Sequence, residues 1–183
     1  MEDLGVLLLR LTFGGLLTGH GSQKLLGWFG GFGLKGTAGW LESMNLKPGN
    51  LWASAASLSE AGGGALTALG LLHPLGPIAT IGSMGMAGLT VHRGKPIWVT
   101  EGGAELPLTN IAIAFALLLS DPGRYSLDNA LGLRVPRWLS ITSSVAVLAG
   151  LAVAVNLYNS QKPAVPEEVA GGKVESGQGA DSL

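Results

Sequence analysis

Residues 51–72 read LWASAASLSEAGGGALTALGLL, an apolar run with a single charge, Glu60. A helix that crosses the hydrocarbon core of a bilayer needs roughly 20 mostly apolar residues, and this run supplies them. Ala53, Ser57, Ala61 and Ala65 recur every four residues on one face, where small side chains let a neighbouring helix come close. Residues 51–72 therefore predict a spanning helix packed against others.

Four further apolar segments flank this one. Leu4 to Leu26 precedes it, interrupted by Arg10, His20 and Lys24. After the short link at His73-Pro74 comes Leu75 to Val91, and so short a link forces an antiparallel hairpin. Leu106 to Leu119 is only about 21 Å long at 1.5 Å per residue, so reaching the roughly 30 Å core draws Glu105 or Glu101 into the helix. Trp138 to Tyr158 is bounded by interfacial anchor residues. Between the first two spans, Trp28 to Asn50 mixes aromatics with Lys35, Glu42 and Lys47, the pattern of a short helix lying in the interface.

Composition agrees. The chain has 183 residues, 47% hydrophobic and 13% charged, with mean hydropathy +0.41; a soluble domain carries about 25% charged residues. Eleven Lys and Arg balance 12 Asp and Glu, which leaves no basic surface for nucleic acid. With no cysteine, thiol redox chemistry and thiolate metal sites are excluded. The acidic Met1-Glu2-Asp3 start is unlike a cleavable signal peptide, so the first run reads as a retained helix. The Gly-, Pro-, Glu- and Ser-rich end, residues 160–183, reads as a disordered tail. Gly15 and Gly19 in the first helix, and Ala146, Gly150 and Ala154 in the fifth, suggest further close helix contacts.

Ionisable residues inside a membrane segment are costly and mark functional candidates. Glu60 is the sharpest, about 13 Å into its helix at 1.5 Å per residue and followed by Gly62-Gly63-Gly64. An unpaired carboxylate there would hold its proton, because apolar surroundings disfavour the charged form. Arg10, His20 and Lys24 are the cationic partners on offer, with His20 and Lys24 at the better depth. Two readings stand side by side: a carboxylate that handles protons or anchors a ligand, and a structural pair between the first two helices. His20 and His92 fall toward one face of the membrane, as do Glu101 and Glu105, which share a face if the fourth helix begins early. Two histidines near helix ends are weak grounds for a haem; a small polar headgroup, such as a quinone carbonyl, is better suited to them, and interfacial structural histidines need no ligand. No tight His/Glu spacing suggests a metal.

The chain resembles the DoxX family of small bacterial and archaeal membrane proteins. The resemblance is carried by Arg10 with Gly14-Gly15, His20-Gly21-Ser22-Gln23-Lys24-Leu25, Phe32-Gly33, and the run from Gly36 to Trp40. Glu60 with its glycines, Gly70, Glu101 to Pro107, and Pro122 to Asp128 continue it, so that it covers about residues 4–132. It implies an all-α, four-helix transmembrane bundle over residues 1–135, here with an added fifth transmembrane helix over 136–159. It also implies a cytoplasmic-membrane subunit of a quinone-linked or redox-associated complex, without its own redox centre, binding a headgroup and meeting lipid and either a protein partner or a second copy. A membrane scaffold for a partner enzyme is the alternative, and a small-molecule permease a third, weakened by the lack of paired broken helices. The Arg124, Arg134 and Arg137 group favours a cytoplasmic N-terminus.

Overall fold

The computed structural model describes residues 2–160. They form seven α-helices and no strand: α1 (Glu2–Leu26), α2 (Gly33–Ser43), α3 (Gly49–Leu69), α4 (Leu75–Leu89), α5 (Glu105–Leu119), α6 (Leu127–Leu131) and α7 (Arg137–Ser160). Short 3₁₀ turns at Trp28–Gly30 and Val99–Glu101 lie in the connections. The tail expected over residues 160–183 falls outside the described residues, except for Ser160, which closes α7.

Helix directions follow from who meets whom. Gly14 lies against Gly64 and Ala68, and Gly21 against Ala61, so α1 and α3 are antiparallel. Gly63 faces Gly76 and Thr80, which makes α3 and α4 the expected hairpin. Asn110 Nδ2 donates to Met84 Sδ at 3.4 Å, and Gly88 approaches Pro107, so α5 runs back along α4. Gly82 against Val147 and Gly85 against Leu151 set α7 parallel to α4. Five long helices thus alternate in direction, and α2 packs across the end where α1 finishes and α3 begins.

The sequence reading needs correction at several boundaries. The second long helix stops at Leu69 rather than Leu72. Gly70 adopts a left-handed φ of 61°, its N–H bonds Thr67 O, and Leu71 N–H bonds Leu66 O, which closes the last turn. The fourth long helix starts at Glu105, because Gly102 at φ 75° ends the turn holding Glu101. Glu101 and Glu105 therefore share no helix face. The anticipated Gly15 and Gly19 contact is absent: a Cβ at either would meet nothing within 4 Å, whereas Gly14 and Gly21 touch α3 backbone. The motif was displaced by the 3.6-residue turn, which puts Gly14 and Gly21 on one face.

Burial is inverted relative to a soluble domain. Fully buried side chains include Glu60, Ser57 and Thr80, while Leu16, Leu119, Trp138 and Leu148 stand 64%, 83%, 65% and 63% exposed. Soluble monomers rarely expose contiguous apolar surface on this scale. The buried hydroxyls are satisfied inside their own helices: Ser57, Thr67 and Thr80 each donate to the carbonyl four residues back. Two helices among the described residues, α1 and α7, are long and apolar enough to cross a membrane, with mean hydropathy 1.2 and 2.0. α4 and α5 are apolar but span 15 residues each, or about 22 Å; α3 has the length, at 21 residues, but carries Glu60 with several Gly and Ser.

Candidate functional site

Close backbone approach comes first. At Gly21 a Cβ would overlap the Ala61 backbone, so only glycine lets α1 reach α3 at this level. One turn further along α1, Lys24 meets Glu60. Its Nζ lies 2.5 Å from Oε1 and 2.6 Å from Oε2, so one ammonium donates to both carboxylate oxygens. Glu60 is 1% exposed; the Lys24 side chain is 34% exposed, and both line a chamber.

That chamber has a volume of about 150 Å³ and lies between α1, α2, α3 and the end of α4. Trp40, Trp52, Ser83, Thr90 and His92 line it with the ion pair. His92 Nδ1 lies 2.7 Å from Gly102 O. A carbonyl only accepts, so the ring donates from Nδ1, and in the neutral imidazole Nε2 is left as an acceptor. Lys24 gives two hydrogens to Glu60 and keeps a third. The chamber is therefore lined by an ammonium, an imidazole, hydroxyls and two tryptophans, around a pair whose charges cancel.

The other residues named from sequence fall elsewhere. His20 is exposed on α1 and does not line the chamber. Glu105 Oε2 accepts from Val99 N–H at 2.8 Å and so ties down the turn before α5. Glu101 is exposed. Arg10 belongs to the opposite end of the bundle, 3% exposed, where it donates to Pro122 O at 2.6 Å and Tyr125 O at 3.0 Å. A Cβ on Gly70 would overlap its guanidinium. Sequence reasoning missed Trp40, Trp52, Ser83 and Thr90 as lining residues, since aromatic and hydroxyl residues at helix ends read equally well as interfacial anchors.

Asp128 is a second residue the sequence left without a role beyond its motif. It is 4% exposed, and its two oxygens accept from Leu72 N–H at 2.8 Å and His73 N–H at 2.7 Å. Its own N–H donates to Gly70 O. Ser126 Oγ caps α6 by accepting from Asn129 N–H. The link between α3 and α4 is thus clasped by the segment after α5, and Arg10 holds that segment to α1. Burial here pushes the His73 imidazole below its ordinary range, against the opposing pull of a hydrogen bond to Ser120 and of Asp128. Asp128→Ala removes the acceptor of two part-buried N–H groups and should cost about 2 kcal/mol. Asp128→Asn keeps one acceptor and should cost about half as much. Equilibrium unfolding in mixed micelles checks the ranking; equal losses would show that the clasp does not depend on both oxygens.

The DoxX family model matches residues 5–93. The chain carries a DoxX domain there. It is accordingly a membrane protein, in agreement with its apolar helices and its inverted burial. The match takes in α1 to α4 and with them Lys24, Glu60 and His92. It ends well short of residue 132, so α5, α6 and α7 lie beyond it. No curated protein and no solved structure matches the chain.

Proposed function

We propose that this DoxX protein is a membrane subunit that binds a small neutral headgroup, a quinone ring being the leading case, beside Lys24, Glu60 and His92, within a redox-associated complex whose electron carrier sits on a partner chain. In this reading α1, α3, α4 and α5 cross the cytoplasmic membrane as a four-helix unit and α7 crosses as a fifth. The N-terminus faces the cytoplasm, as do Arg124, Arg134 and Arg137.

The observation that carries the reading is the chamber itself. A buried ion pair is favourable only where further hydrogen bonds satisfy its remaining protons and lone pairs. Here the pair lines a space of about 150 Å³, the size of an apolar cavity that accepts a benzene ring. The lining includes an ammonium and an imidazole, which suit a quinone carbonyl and a quinol hydroxyl.

The test uses the full chain in nanodiscs and a dimethoxy-methyl-benzoquinone without a side chain. Trp40 and Trp52 line the chamber, so a bound ring should quench tryptophan fluorescence saturably. Glu60→Gln should weaken that quenching at least tenfold, because Gln no longer holds the ammonium in place. Quenching that is linear in probe concentration and indifferent to Glu60→Gln would overturn the proposal and favour a scaffold for a partner enzyme.

A further inference from the structure

A second apolar hollow runs beside the chamber. It has a volume of about 370 Å³ and lies between α3, α4 and α7. Ala55 and Ser59 form its α3 wall, Ala79 and Gly82 its α4 wall, and Gly150 and Ala154 part of its α7 wall. Trp52, Ala56, Ser83 and Met86 line both spaces, so the hollow and the chamber meet at these four residues.

The α7 side is held in place at one end. Arg93 Nη1 donates to Asn159 Oδ1 at 2.5 Å, and Tyr158 packs against the cluster of Ala38, Leu41, Leu46 and Ala53. Further along, α7 leans on α4 through Gly82 and Gly85. The hollow is only partly enclosed, and α7, which forms one of its walls, is almost wholly exposed to the surroundings of the bundle.

We propose that the two spaces form one site for a neutral amphiphile, entered sideways from the bilayer: its ring or hydroxyl head lies against Lys24 and His92, and its single apolar chain lies in the hollow between α3, α4 and α7. The inference rests on the headgroup reading above and adds the ligand's shape. Three observations select this occupant. Lys24 spends its charge on Glu60, so the chamber has no net charge to hold a phosphate head. The chamber volume limits the head to about one ring. The hollow is walled by apolar and small side chains, Trp52 and Met86 among them, with the hydroxyls of Ser59 and Ser83, which suits a hydrocarbon chain and not a second polar group. α7, which lies beyond the family match, then supplies the outer wall of the ligand site.

The experiment uses the full chain in nanodiscs and a benzoquinone carrying a ten-carbon chain tipped with a photoreactive diazirine. After irradiation, labelled peptides are mapped. Label should concentrate in residues 147–154 of α7 and 79–86 of α4, and excess chain-free benzoquinone should reduce it at least fivefold. Gly150→Leu should move the label away from both segments. A Cβ at Gly150 meets nothing within 4 Å, so the variant should fold, and its melting curve in detergent verifies this. Label spread evenly over the outer faces of α1, α5 and α7, or insensitive to competition while the chain-free ring still quenches tryptophan, overturns the shared site and leaves the headgroup reading standing. Failure of the chain-free ring to quench overturns both.

Discussion

Glu60→Gln and Lys24→Met, each alone, should lower stability by about 2–3 kcal/mol, and the double variant should lose clearly less than their sum. Removing one partner of a buried pair usually costs about 3–5 kcal/mol, because the survivor is left charged in apolar surroundings. The figure is smaller here because the Lys24 side chain is about one-third exposed, so that water can solvate a stranded ammonium. The two side chains touch directly, so a coupling of about 2 kcal/mol is the expected non-additive part. Reversible unfolding in mixed micelles supplies the four stabilities of the cycle. Binding of the chain-free benzoquinone should behave differently. It should be lost in both single variants and stay lost in the double variant, although the stability losses do not add. That separation distinguishes a ligand site from a helix-pairing contact. Strictly additive stabilities would remove the pair from the account of the fold, and a double variant that binds as well as the native protein would remove it from the site.

How much of this was legible in the sequence depended on what each residue contacts. Glu60 was legible because one charge in an apolar run must find a partner, and Lys24 because it lies at a matching depth on the preceding helix. Arg10, about 21 Å from Lys24 along α1 at 1.5 Å per residue, looked like a third member of that set and is not. Its partners are the carbonyls of Pro122 and Tyr125, backbone groups more than a hundred residues away that carry no signal in side-chain pattern. Asp128 was obscure for the same reason: it accepts from the N–H groups of Leu72 and His73, and any sequence there would present those donors. The chamber was the least legible feature. It arises because α2 folds across the bundle end and brings Thr37 and Trp40 beside Lys24, a tertiary placement that periodicity along one helix does not encode. The long helices, by contrast, were legible nearly to their ends, since apolar length is a property of each segment alone.

Large effects on the fold should also come from Gly14, Gly21 and Gly64, which lie off the expected Gly15 and Gly19 spacing. A Cβ on Gly14 would sit 2.5 Å from Ala68 N and from Gly64 O, and one on Gly64 would sit 2.6 Å from Thr18 N. One on Gly21 would lie 2.6 Å from Ala61 Cα. In each case the obstacle is backbone of the facing helix, which cannot rotate aside as a side chain would, so a single methyl must push α1 and α3 apart. Gly14→Ala, Gly21→Ala and Gly64→Ala should therefore each cost about 3 kcal/mol, at the upper end of ordinary overpacking, despite the gain in helix propensity. Gly15→Ala and Gly62→Ala, whose Cβ atoms would meet nothing within 4 Å, should be neutral or stabilising by up to about 1 kcal/mol. Within the costly group the consequences for binding should also divide. Gly21 lies one turn from Lys24, so spreading the helices there draws the ammonium off Glu60 and should abolish quenching by the chain-free benzoquinone. Gly14 lies nearer the Arg10 end, and Gly14→Ala should lose stability while retaining most of that quenching. Unfolding and quenching measured on the same five preparations check both orderings. If Gly14→Ala and Gly15→Ala proved equally tolerated, the contact between α1 and α3 would be looser than drawn, and the position of Lys24 would need another cause.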